Sequence, residues 1–256
     1  MFIKIFSDYR YSIFQVFKQN LITSYGQSFL WFLWIFIIPI SKMLLFLFLK
    51  KNRVIENNMD YFPYALYIFY SLIFWQIFVY IITNSCGILN RYTNLLSLNF
   101  SREVLLYGSA CVSLFNAFLQ LFIFTGLALL YRIPLSIGFI FLPFIFFIIV
   151  LFSLGLAKII SILSVVTRDV SEGLVVILMF WMFATPAIYN ASTDYTHFFN
   201  FFNPLQIFIK TAHILWLGEF TKIPAIFYFH CFVAIFIFYL GTYFFRRSIY
   251  VSLDRL

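Results

Sequence analysis

Acidic side chains are nearly missing from this chain: nine Asp and Glu stand among 256 residues, and charged residues of both signs make up 10%. The usual chemical motifs are missing as well. No GxxxxGK[ST] or GxGxxG phosphate loop occurs, and neither HExxH nor GxSxG, so no recognisable nucleotide site, zinc-hydrolase helix or nucleophile elbow is present. The three cysteines, Cys86, Cys111 and Cys231, are odd in number and scattered in or beside apolar runs. That excludes a disulfide framework or a metal motif and reads as small buried hydrophobes. His197, His213 and His230 are not at metal-ligand spacing, so no metal site is expected. His230, inside an apolar run, reads as a polar residue hydrogen-bonded between helices. The 17 Lys and Arg are dispersed rather than striped, which argues against nucleic acid as a partner.

What is abundant is oil. The chain is 64% hydrophobic and 24% aromatic, with a mean hydropathy of +0.98, the composition of a membrane protein. Residues 1–27 are amphipathic: Phe2, Phe6, Tyr9, Ile13, Val16 and Phe17 recur on one helical face and Lys4, Asp8, Ser12, Gln15 and Gln19 on another. Such a helix lies in the bilayer interface or packs on a neighbouring domain. Six apolar spans follow, at about 28–49, 64–86, 105–131, 135–162, 172–190 and 223–245, each near the 20 or so residues that cross the hydrocarbon. Pro39, Pro143 and Pro186 fall within them, which is tolerated where neighbouring helices satisfy the freed carbonyls. Without Gly/Ser linkers, low-complexity tracts or an internal repeat, residues 28–256 read as one all-α membrane domain. No cleaved secretory signal is expected either.

Orientation follows the basic residues near the span ends. With a cytoplasmic N-terminus the inner side holds ten: Lys4, Arg10, Lys18, Arg91, Arg102, Lys158, Arg168, Arg246, Arg247 and Arg255. The outer side holds six, namely Lys50, Lys51, Arg53, Arg132, Lys210 and Lys222. Both termini are therefore expected in the cytoplasm. Lys42 and Lys158 lie close enough to span ends to snorkel toward water. None of the nine acids falls in the middle of a span, so the carboxylate that binds a coupling ion in many transporters is not evident and the energy should come from elsewhere.

Three connections stand out. "VVTRDVSEG" (Val165–Gly173) is a charged inner turn between the fourth and fifth spans, and Asn90–Leu106 has the mixed polarity of a short helix on the inner membrane surface. The outer segment at about 191–222 holds apolar pieces of about ten residues, too short to cross but suited to re-entrant or interfacial helices. Most of the aromatic rings suit lipid and its interfaces, but rings also stack on sugar faces. Pathway candidates on the first three spans are Trp31, Trp34, Tyr67, Tyr70, Trp75, Phe115, Phe118 and Phe122.

In this order the pieces resemble the membrane subunits of polysaccharide-type ABC exporters, the permeases of O-antigen, capsule and teichoic-acid chains. Tyr25, Ser28, Leu30, Trp34 and Pro39 match that family's opening, with Trp31 where Gly is usual. "NLLSLNFSREVLL" is similar to its "NL…FPREVLP", with Ser101 for the Pro. "RDV" (Arg168–Val170), then Trp181, Thr185, Pro186 and Tyr189, matches its fifth span, and Asn203–Pro204 its "LNP" segment.

The resemblance implies a homodimer around one pathway, with two copies of an ATP-binding subunit beneath it. ATP and Mg would be held by that partner, leaving no cofactor on this chain. The cargo would be a polyprenyl-diphosphate-linked glycan crossing a cytoplasmic (inner) membrane. It further implies ATPase docking and coupling through Arg91, Asn94, Phe100, Arg102, Glu103, Arg168, Asp169 and Glu172, with the coupling segment at about 90–104. The segment at about 191–222, with Thr185, Pro186, Tyr189, Asn203 and Pro204, would be the outer gate. Two other readings stay open: an exporter of small molecules or lipids, and a membrane enzyme acting on lipid-linked sugars through Glu103, Asp169 and Glu172.

Overall fold

A computed structural model describes residues 2–25, 31–54, 61–86, 102–133, 136–167, 169–185, 188 and 202–253. The helices longer than one or two turns are α1 (Phe2–Tyr25), α2 (Trp31–Lys51), α3 (Tyr61–Ser85), α4 (Glu103–Leu130), α5 (Leu142–Val166), α6 (Asp169–Phe183), α7 (Pro204–Leu217) and α8 (Ile226–Leu253), and among the described residues no strand is formed. Five stretches are long and apolar enough to cross a bilayer: Leu33–Lys51, Tyr64–Ser85, Glu103–Leu130, Ile137–Ser164 and Ile226–Ser248. The fifth expected span is shorter as a helix than its apolar run. Helix α6 covers 15 residues, about 22 Å, and stops before Thr185. Pro186 follows, and the residue before a proline is pushed out of the helical region.

The arrangement follows from where small residues and polar groups sit. Helices α5 and α8 touch backbone to backbone. A Cβ on Gly155 would come within 2.7 Å of the Ile237 carbonyl and the Phe238 nitrogen, and one on Gly241 would land on the Gly155 carbonyl. Small residues at such a crossing let membrane helices gain dispersion contacts that larger side chains prevent. Helix α1 uses the same device, laying Val16 over Gly108 of α4, with Ile13 buried and Phe17 edge-on to Phe115. The stripe from Ile13 to Phe17 is thus packed on α4.

Helix α3 is buried along most of its length. Tyr70 lies within ring contact of Phe74, Phe124, Phe139, His213 and Trp216, so α3, α4 and α7 share one aromatic knot. Helix α2 is attached more lightly. Pro39 has no N–H, so the Ile35 carbonyl four residues earlier loses its helical donor. The Gln120 side chain of α4 donates to that carbonyl (2.9 Å) and also to Gln76 Oε1 of α3 (2.8 Å). The neighbour that satisfies the freed carbonyl is therefore a single buried carboxamide.

Candidate functional site

Two polar clusters are set into this apolar frame, one at each end. The first lies where α4 begins, α5 ends and α8 runs out. Glu103 is the first residue of α4, where the helix N-terminus favours negative charge, yet its side chain is turned inward and buried. Its Oε1 accepts from Arg246 Nε of α8 (2.5 Å), and its Oε2 accepts from the Tyr107 hydroxyl (3.1 Å) and faces Lys158 Nζ of α5 (3.6 Å). Lys158 is completely buried and does not snorkel, contrary to the sequence expectation. Its ammonium donates to Thr242 Oγ1 (2.7 Å) and the Tyr107 hydroxyl (3.1 Å), and lies 4.3 Å from the Phe238 ring centroid. All three ammonium protons thus have an acceptor, a neighbouring carboxylate or a ring face to meet, which is what permits a buried lysine.

The second cluster is a clasp built on Asn203, at the other end. Asn203 caps α7, its Oδ1 accepting from the Gln206 N–H (3.4 Å), with Pro204 in the first turn where its missing N–H costs nothing. The same Oδ1 accepts from Trp181 Nε1 (3.1 Å), while Nδ2 donates to the Ala184 carbonyl (3.2 Å) and to Thr185 Oγ1 (2.9 Å). Thr185 in turn donates to the Trp181 carbonyl (2.7 Å). Three residues that the sequence singled out in separate stretches, Trp181, Thr185 and Asn203, therefore converge, and Asn203 satisfies the last turn of α6 and the first of α7 at once.

Helix α7 is short, 14 residues or about 21 Å, and all but Lys210 and Leu217 of it is buried. The Tyr70 hydroxyl donates to the Ala212 carbonyl (3.1 Å), and Tyr67 stacks on His213 with centroids 3.7 Å apart. The Ser71 hydroxyl lies 2.7 Å from His213 Nε2 and 3.0 Å from the Tyr67 carbonyl, tying the ring to α3. Burial pushes the His213 imidazole down to about 3, so it is neutral at ordinary pH. A Gly138 Cβ would land on the Leu215 carbonyl, and Ser136 donates to that same oxygen, which pins α7 to the turn before α5.

The aromatic candidates separate into two groups. Tyr70 and Trp75 are core residues and Tyr67 is committed to His213, whereas Trp34, Phe115, Phe118 and Phe122 lie on the outside of the bundle. Trp31 begins α2. Of the docking set, Asp169 and Glu172 stand exposed in the first turn of α6 and Arg102 is half-buried ahead of α4. Glu103 points into the frame. Arg91, Asn94, Phe100, Arg168, Pro186, Tyr189 and most of the 191–222 segment before Phe202 lie outside the described residues. His230 bonds to the Ile226 carbonyl of its own helix (2.8 Å). What sequence reasoning missed is the Lys158 cluster. Thr242, four residues before Arg246 on one face of α8, is its one visible signal.

No family model matches the chain. A curated protein does: the O-antigen export system permease protein RfbA of Myxococcus xanthus is 28% identical over 186 residues, 72% of this chain and 70% of that protein. A match of that extent reaches well beyond any single motif and agrees with the resemblance carried by "RDV", "TP" and "NP". By its helices the chain is a multi-pass membrane protein, and by its sequence it is a homologue of an O-antigen export permease.

Proposed function

We propose that this chain is the permease subunit of an ATP-driven exporter that moves a polyprenyl-diphosphate-linked polysaccharide across the cytoplasmic membrane. Similarity to an O-antigen export permease over 72% of the chain carries the reading. Two copies of the permease would enclose the route, with two ATP-binding subunits on the cytoplasmic side, where both termini lie.

The exposed faces support this arrangement. Helices α2 and α6 meet at Phe46 and Phe183, whose ring centroids are 6.1 Å apart. Their outward sides carry Leu33, Trp34, Ile37, Leu44 and Phe48 from α2 and Val176, Ile177 and Phe180 from α6. That broad apolar and aromatic face suits a second copy and a cargo whose sugars slide past rings. Asp169 and Glu172, exposed in the first turn of α6, would meet a basic surface of the ATPase, where charges fix register across a polar contact. The Asn203 clasp and α7 form the base of the outer gate.

Deleting the gene and fractionating the cell's glycan tests the reading. Loss of surface polymer with lipid-linked polymer accumulating inside is the expected result. Loss of polymer on both sides would assign the chain to synthesis, and unchanged surface glycan would assign it to a different cargo.

A further inference from the structure

The Glu103 cluster has a position that docking alone does not use. Glu103, at the end of the coupling segment, is the first residue of helix α4, yet its carboxylate reaches away from the surface, into α5 and α8. The helices it reaches are already welded to one another through Gly155 and Gly241. Helix α5 is entered through the turn that pins α7, and α8 leaves α7 only a few residues beyond Gly218. One side chain thus ties the inner end of α4 to the pair of helices that carries the outer gate.

We propose that Glu103, Lys158 and Arg246 form a load-transferring ion cluster in which Glu103 is a positioning residue. When the ATPase displaces the coupling segment, this cluster makes α5 and α8 follow α4, so that the stroke arrives at α7. The inference rests on the export reading above. Charge suits the task. Each group in the cluster has partners in a fixed direction, so a shift of α4 cannot be absorbed by side-chain repacking, as it could be between apolar surfaces. Tyr107 stiffens the arrangement by donating to Glu103 and accepting from Lys158. Thr242 holds Lys158 from the α8 side and is itself bonded to the Phe238 carbonyl at 2.7 Å.

The test compares Lys158→Met, the double variant Glu103→Gln/Lys158→Met, and Arg246→Gln in the native host. Three readouts are taken: assembled complex in membranes, ATP hydrolysis by the purified complex, and surface against lipid-linked glycan. Lys158→Met leaves a carboxylate short of its buried partner and is expected to lower assembly. The double variant removes both buried charges and is expected to assemble like wild type. A purely structural role predicts that it also exports like wild type. The positioning role predicts wild-type hydrolysis with surface glycan down about tenfold, ATP being spent without transport.

Wild-type export by the assembled double variant would overturn the proposal, and so would hydrolysis and export falling together in proportion. Should the double variant fail to assemble, Arg246→Gln decides, because that side chain sits at the half-exposed rim. Several-fold loss of export at unchanged hydrolysis then supports the proposal and unchanged export overturns it. Failure of the export reading looks different: the wild-type complex itself would put no glycan on the surface, and the proposal would fall with it.

Discussion

Helices α5 and α8 form a close pair, whereas α2 and α6 lie at the edge of the bundle and meet at Phe46 and Phe183, and the two regions are held by different means. In the first, glycines bring backbone against backbone and a buried lysine joins the polar ends of the two helices. In the second, the helices touch through the rings of Phe46 and Phe183, most of each helix's outer face is exposed, and the carbonyl that Pro39 leaves without a helical donor depends on Gln120. Close packing makes an element respond as a rigid body, because interdigitated surfaces shift by jumps and not by degrees. The α5–α8 pair is thus built as a frame, and α2 with α6 as the parts that can move against it.

The contrast can be broken most severely at the weld. Gly241→Val places a branched side chain against the Gly155 carbonyl, which is backbone and cannot step aside. A loss of about 3 kcal/mol is expected, near the upper end for overpacking, read as a large drop in the denaturation midpoint of the detergent-purified protein. An unchanged midpoint would show that the two helices are not in backbone contact. A smaller effect follows from Gln120→Leu, which removes the donor to Ile35 and leaves a carbonyl unsatisfied beside Pro39. The expected cost is about 1–3 kcal/mol, accompanied by faster amide exchange in α2 than in α5. The smallest effect is expected for Val176→Ala on the exposed side of α6: within about 0.5 kcal/mol for the isolated chain. The same change should weaken cross-linking between two copies if that side faces a partner.

Much of this frame was legible in the sequence, and the unread part has a common physical cause. Apolar runs long enough to cross a bilayer announce themselves because the membrane imposes their length, and five of the six expected spans agree with described helices to within a few residues at most ends. Trp181, Thr185 and Asn203 were also readable, through resemblance, before the structure joined them in one clasp. Lys158 was not. A lysine near the end of an apolar run looks the same in sequence whether it snorkels or is buried, and its partners lie 51 to 84 positions away in the chain. The inward turn of Glu103 was unreadable for the same reason: a charge beside a membrane border gives no sign of the side it faces. Tyr70 and Trp75, offered as pathway rings, are core residues, since ring chemistry is identical on both sides of a helix and only packing separates them.

Chain order turns the Glu103 cluster into an order in time. As the polypeptide emerges, α4 delivers the carboxylate before α5 delivers Lys158, and α8 brings Thr242 and Arg246 last. A lysine entering the hydrocarbon alone costs about 2.5–3.5 kcal/mol at depth, but this one arrives where its acid is already waiting. The remaining donors and acceptors close the cluster only when the last helix is in place. The same side chains that fix the finished frame thus guide the growing chain, with the acid synthesised first and the arginine that completes the cluster synthesised last.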